Sequence, residues 1–248
     1  LDFITGEIIA IDKPLKWTSF DVVKRVRGAI QRRMSLRRFK VGHAGTLDPL
    51  ATGVLLICTG RATRSIETLQ NGSKEYVAKI ALGATTPSYD LETEVNATYP
   101  TDHITEAMVR DVLPKFTGRI MQVPPIFSAV KVEGKRAYQY AREGDEVKLK
   151  AKPLEISELE LLHFSPTEIE VRIVCSKGTY IRALARDLGE ALHSGAHLTA
   201  LRRTRVGNHD LTRTHTLEEA LHRINTEEIT FPEDFQLKES IKDLSKVN

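Results

Sequence analysis

The sequence predicts an α+β protein, and three stretches carry that prediction. Glu75 to Leu82 alternates, with Tyr76, Ala78, Ile80 and Leu82 on one side, which is the two-residue period of a strand with one buried face. Glu168 to Cys175 repeats the pattern through Ile169, Val171, Ile173 and Cys175, as a half-buried antiparallel strand does. Between Thr18 and Met34 the period changes. Val22, Val23, Val26, Ala29 and Ile30 fall on one helical stripe, and Thr18 or Ser19 is placed to cap it.

The other elements follow in chain order. Glu7 to Ile11 is a short apolar strand ahead of Asp12-Lys13-Pro14. Val54 to Cys58 is a continuous apolar run, read as a buried strand, and Ala62 to Leu69 reads as a short helix. An amphipathic helix is expected from Thr101 to Leu113, beginning at Thr101 or Asp102. Val123-Pro124-Pro125 breaks regular structure, Phe127 to Val132 resumes a strand, and Lys135 to Arg142 is helical, ending near Gly144. Leu154 to Phe164 is a strand. Thr179 is expected to cap a helix with the ridge Ile181, Leu184, Leu188 and Leu192. His197 to Val206 is a last strand with Leu201 inward, and Thr216 to Ile224 a short helix.

Composition narrows the class. With 41% hydrophobic and 28% charged residues, the chain is an ordinary soluble globular one. No stretch approaches the roughly 20 apolar residues of a membrane span. The N-terminus lacks a signal-peptide pattern, so the cytoplasm is the expected location. Cys58 and Cys175 lie in apolar runs and read as buried reduced thiols. There is no P-loop, dinucleotide fingerprint or cluster of metal ligands, so no metal or cofactor is expected. A net charge of +3 does not announce nucleic acid, but its distribution does better. Lys24, Arg25, Arg27, Arg32, Arg33, Arg37, Arg38 and Lys40 crowd one stretch that contains no acidic residue, and Arg202, Arg203 and Arg205 form a second cluster. Such density suits a phosphate backbone. The alternative is a solvated helix face, though such faces normally mix signs.

One stretch stands apart from this pattern. From Gly42 to Leu55, three glycines and Pro49 punctuate the chain around one histidine, His43, and one carboxylate, Asp48. The run is not expected to form a regular helix or strand, because glycine favours unusual backbone angles and Pro49 biases Asp48 away from the helical region. A polar loop pinned to the buried strand after it would hold a carboxylate rigidly at a cleft. A tight turn in which Asp48 caps its own backbone fits the local physics equally well.

The run from Gly42 to Gly53 closely resembles the catalytic motif of the TruB family of tRNA pseudouridine synthases. The likeness continues, in the family's order, through Ile11-Asp12-Lys13-Pro14 with Trp17-Thr18-Ser19-Phe20-Asp21, Lys74-Glu75-Tyr76, Val123-Pro124-Pro125 with Ser128-Ala129, and Cys175 to Arg182. It spans about Gly6 to about Gly207. One departure is Lys16, which stands where the family usually has glycine and bears on the local turn geometry.

The resemblance implies a pseudouridine-synthase-type fold: a mixed, largely antiparallel sheet with flanking helices and a central RNA-binding cleft. It implies a catalytic domain over residues 1–230, an insertion at about 101–152 that helps clamp RNA, and a polar tail over 231–248 too short for a PUA domain. The implied reaction converts the T-loop uridine at tRNA position 55 to pseudouridine after base flipping, with no cofactor. Asp48 would act as nucleophile or as the base that removes a sugar proton. Arg182 would pair with Asp48, since an arginine at a helix N-terminus gains nothing from the dipole and needs a specific partner. Tyr180 would close the pocket and Tyr76 would stack on the uracil, although an aromatic opening an alternating strand is ordinarily a core residue. His43 would fill the space left by the flipped base or touch a neighbouring nucleotide, or simply be hydrogen-bonded. Lys13, Arg64, Arg32, Arg33, Arg37, Arg38 and Lys40 would meet phosphates, and Asp90 and Leu201 are grouped with the RNA contacts. The expected partner is the T-arm of tRNA, bound by a monomer working without guide RNA or membrane. Two other readings remain: a tRNA-binding chaperone with incidental catalysis, and a guide-RNA-dependent relative, against which the expected lack of a PUA domain argues.

Overall fold

The computed structural model describes residues 1–128, 130–132, 135–143 and 148–233. The chain begins with β1 (Ile8–Lys13), α1 (Ser19–Arg33), β2 (Val41–His43), β3 (Ala51–Thr59) and α2 (Ile66–Asn71). It continues through β4 (Lys74–Leu82), β5 (Ala84–Thr85), β6 (Ala97–Thr98), α3 (Glu106–Val112) and β7 (Gly118–Gln122). Next come β8 (Lys131–Val132), β9 (Lys135–Arg136), α4 (Ala137–Glu143), β10 (Lys152–Phe164) and β11 (Glu168–Cys175). The last elements are α5 (Ile181–Ala191), β12 (Ala196–Val206), β13 (His209–Asp210), β14 (His215–Thr216) and α6 (Leu217–Thr226). They form two compact units, residues 1–72 with 203–248 and residues 73–202, so the two ends of β12 belong to different units.

In the first unit the strands run β14-β1-β3-β12, with β2 beside β3 and β13 beside β12. β1 is antiparallel to β3 but parallel to β14, which makes the sheet mixed. α1 starts at a capping box in which Thr18 and Asp21 satisfy each other's backbone N–H groups. It buries Val22, Val23, Val26, Ala29 and Ile30 and packs against α6. Ala10, Ala44, Val54, Leu56 and Val206 form a core with Ile66, Leu69 and Leu211. Gly53 has φ +103°, and a Cβ there would lie 2.1 Å from the Arg203 carbonyl oxygen; only glycine lets β3 and the end of β12 approach this closely. The Gly42–Leu55 run is less irregular than expected. Val41, Gly42 and His43 pair with Thr59, Cys58 and Ile57, and β3 begins at Ala51, leaving only residues 44–50 outside the strands. Cross-strand hydrogen bonding overrides the glycine content there.

In the second unit the order is β12-β4-β11-β10-β7. β4, β11, β10 and β7 are antiparallel throughout, with Tyr76 opposite Ile173 and Ala78 opposite Val171. The alternation expected of β4 is present, and Tyr76, Ala78, Ile80 and Leu82 are all buried. α5 packs on β4, and its predicted apolar ridge is buried.

Several local expectations are corrected. α3 starts after Thr105, whose hydroxyl accepts the Met108 N–H, while Thr101 to Ile104 is a turn. Thr179 does not cap α5: its hydroxyl donates to the Ser176 carbonyl, and Tyr180 takes the cap position without a side-chain bond. Among the described residues between Phe127 and Val132, only Lys131–Val132 is strand, and β7 was not anticipated. Leu201 is half-buried, and the fully inward residue near it is Arg203. The expected helix end near Gly144, the motif residue Ala129, the Lys131 and Arg142 side chains and the tail from residue 234 lie outside the described residues.

Candidate active site

Asp48 is half-exposed on the loop that joins β2 to β3, and both of its neighbours are tied down. On one side, Ser19 Oγ accepts the Leu47 N–H at 2.8 Å and donates to the Leu47 carbonyl at 3.1 Å. On the other, the Pro49 carbonyl accepts the Lys16 N–H at 2.8 Å and the Lys13 ammonium at 3.3 Å. A turn closed by the Ala51 N–H on the Asp48 carbonyl, 3.0 Å, completes the mount. Arg203 braces the loop from β12, donating to the carbonyls of Gly45 (3.1 Å), Thr46 (3.4 Å) and Val54 (2.8 Å). A carboxylate mounted this way loses little freedom when a substrate arrives.

Two of these groups correct the sequence reading. Lys13 is 0% exposed, and its ammonium donates to the carbonyls of Pro14 (2.9 Å), Trp17 (2.5 Å) and Pro49. Arg203 is 1% exposed. Neither is at the surface to meet a phosphate; both are internal cations whose charge is solvated by backbone oxygens. Burial lowers the Lys13 pKa to about 8, attraction to Asp48 opposes this, and Arg203 adds to it. His43 sits on β2, off the Asp48 loop, and its Nδ1 is buried without a hydrogen-bond partner. Burial, then the Arg203 charge, holds the His43 pKa below its usual value against a backbone contact to Gly45, so the ring is neutral near pH 7.

The second unit carries the other expected catalytic residues. Tyr76 is buried on β4. Tyr180 opens α5, and its backbone is clipped by Gln122 of β7, which accepts its N–H at 3.0 Å and donates to its carbonyl at 3.2 Å. Arg182 is 5% exposed. Its Nη1 donates to the Ser88 carbonyl at 3.2 Å, and its Nε lies 4.0 Å from the Asp90 carboxylate. Asp90, grouped at first with RNA contacts, is 6% exposed and bonded inward: Ser88 Oγ donates to it at 2.6 Å and the Glu92 N–H at 2.9 Å. Its carboxylate lies beside Arg182 within that unit. Gln122, Ser88 and Arg203 were missed because no motif marks them. Arg203 was visible only as one member of a basic cluster.

Arg32, Arg33, Arg37, Arg38, Lys40 and Arg64 are exposed, as phosphate contacts must be. In the expected insertion, Lys135 pairs with Glu143 and lies over the Tyr140 ring at 4.6 Å, so part of that segment's positive charge is used internally. Among the described residues, no helix is long and apolar enough to cross a membrane.

Comparison with known proteins places this arrangement. Residues 32–181 match the N-terminal domain of the TruB family pseudouridylate synthases, and residues 182–246 match the tRNA pseudouridylate synthase B C-terminal domain. The tRNA pseudouridine synthase B of Phocaeicola vulgatus is 62% identical over 208 residues, covering 84% of this chain and 88% of that one. Its counterpart in Parabacteroides distasonis is 60% identical over 207 residues, with 84% and 88% covered. A chain in the crystal structure of a Cbf5-Nop10-Gar1 complex aligns with a TM-score of 0.68 and 30% identity, over 89% of this chain and 54% of that one. The chain described here therefore belongs to the TruB family of pseudouridylate synthases, enzymes that isomerise uridine to pseudouridine.

Proposed function

We propose that the substrate is tRNA, that the target is the T-loop uridine at position 55, and that Asp48 is the essential carboxylate. The observation that carries this reading is the mounting of Asp48, with both flanking residues fixed by Ser19, Lys13 and the Lys16 backbone. In the reaction the N1–C1′ glycosidic bond breaks, the uracil rotates, and a C5–C1′ bond forms. C5 then gives up its proton while N1 ends protonated, so the isomerisation balances without any co-reactant. Asp48 supplies either a nucleophile at C1′ or the base for a sugar proton. Arg182, already constrained by Ser88 and Asp90, is the cation to pair with Asp48. Tyr76 stacks on the uracil and Tyr180 closes the pocket. Because a base inside a stacked loop is unreachable, flipping it at a cost of a few kcal/mol is part of the cycle. His43, half-buried on β2 and neutral, would fill the space left by the flipped base or touch a neighbouring nucleotide. The enzyme works as a cytoplasmic monomer without guide RNA.

The test is tritium release from an unmodified tRNA transcript labelled at uridine C5, without added RNA. Wild-type enzyme is expected to release one site per tRNA and to lose that release when the T-loop uridine is replaced. Asp48→Asn should abolish turnover and keep tRNA binding. Tight, salt-sensitive binding with no release would favour a chaperone, and release only with a second RNA would favour guide dependence.

A further inference from the structure

The segment from Leu15 to Phe20 is fastened to the Asp48 loop on both sides, by Lys16 N–H to the Pro49 carbonyl and by Ser19 Oγ to Leu47. What it exposes is carried on a segment tied to both neighbours of Asp48. It exposes Leu15 (53%), Lys16 and Phe20 (61%), and Phe20 is the most exposed large apolar side chain among the described residues of its unit. Lys16 has φ +67°, a left-handed conformation that penalises a residue with a Cβ. Glycine would make the same bond to Pro49 without that penalty, yet the position carries a cation. Strain of this kind persists where another requirement fixes the residue. The surroundings are basic. Lys24, one helical turn after Phe20, and Arg25 are exposed, while the Asp21 carboxylate is engaged by Thr18 through its N–H (3.0 Å) and hydroxyl (2.6 Å).

An exposed aromatic face set among cations is the pattern that holds unpaired nucleotides, through stacking on the ring and attraction of the phosphates. We propose that Leu15, Lys16 and Phe20 form the surface on which the RNA strand flanking the target uridine lies, with Phe20 stacked on an unpaired base and Lys16 on a phosphate. This rests on the synthase reading of Asp48 and adds substrate contacts to it.

The experiment measures binding and single-turnover pseudouridine formation on a tRNA transcript for wild type, Phe20→Ala and Lys16→Gly, over a range of salt. Phe20→Ala is expected to weaken tRNA binding about tenfold with unchanged thermal melting, because base stacking on an aromatic is lost. Lys16→Gly is expected to reduce the salt slope of binding by about 0.7, the loss of one single-strand phosphate contact, while raising Tm through relief of the strained backbone. Wild-type affinity and salt slope in both variants would overturn the inference. So would a Phe20→Ala change confined to oligomeric state, which would mark a protein-binding face. Failure of the unsubstituted enzyme to form pseudouridine in the same assay would instead overturn the synthase reading, and this surface with it.

Discussion

At the scale of single residues, Lys13 shows how the backbone can hold an internal charge. Its ammonium is fully buried on three carbonyls, one of them next to Asp48. The native pKa is about 8 against 10.5 for the free group. Between those values the unfolded chain binds a proton that the native state does not, so stability rises with pH through that window. Below pH 8 the charged form is paid for in full, at about 3 kcal/mol from the size of the shift. Wild type is therefore expected to gain stability relative to Lys13→Met between pH 7 and pH 10, read as the difference in urea midpoints. Equal pH profiles for the two proteins would remove the buried ammonium from this account. The role was not legible in the sequence for a physical reason. One Lys13 partner is 36 residues away, and those of Arg203 are 149 to 158 residues away. Local charge density shows a basic residue, but only the folded chain shows which basic residues point inward.

At the scale of elements, the turn from Thr86 to Asp90 is the mount for Arg182. Thr86 and Ser88 are buried, and the Asp90 carbonyl accepts the Thr86 hydroxyl at 2.6 Å. Tyr89 sits at φ +61°, with Arg186 over its ring at 5.1 Å. Removing the Ser88 hydroxyl takes one of two hydrogen bonds from the Asp90 carboxylate and loosens the carbonyl that holds Arg182. Leaving a buried polar group unpaired costs about 1–3 kcal/mol. Ser88→Ala is expected to lower kcat about tenfold, roughly 1.4 kcal/mol of transition-state stabilisation, with KM little changed. Steady-state kinetics on tRNA checks it; a rise in KM alone would make the turn a plain scaffold. The regular elements were readable where one period dominates. β4 and β11 announced themselves by alternation, and α1 by its stripe and its Thr18 cap. Short pieces were not. β2 exists only through its pairing with β3, and α3 was expected to begin at Thr101 or Asp102, whereas Thr105 makes the capping bond.

At the scale of the whole molecule, a net charge of +3 hides a strongly polarised chain. In the second unit, Arg172 draws in Glu75, Glu158 and Glu160, a cluster that one cation leaves net negative. In the first unit, Arg32, Arg33, Arg37, Arg38 and Lys40 are exposed on α1 and the segment after it, where the sequence supplies no acid between Lys24 and Lys40. Positive charge so placed attracts a polyanion over roughly a Debye length, about 8 Å at physiological ionic strength, and gives affinity without sequence information. Replacing all five by alanine is expected to flatten the plot of log binding constant against log salt by up to about 3.5, at roughly 0.7 for each lost single-strand phosphate contact. The weakening should be similar for tRNA and for an unrelated RNA stem-loop, since phosphate contacts do not read bases. Fluorescence titrations at several salt concentrations give the slopes directly. An unchanged slope would mean that these residues face bulk solvent in the complex. A loss confined to tRNA would mean that they recognise its folded shape, because a purely electrostatic surface cannot tell the two RNAs apart.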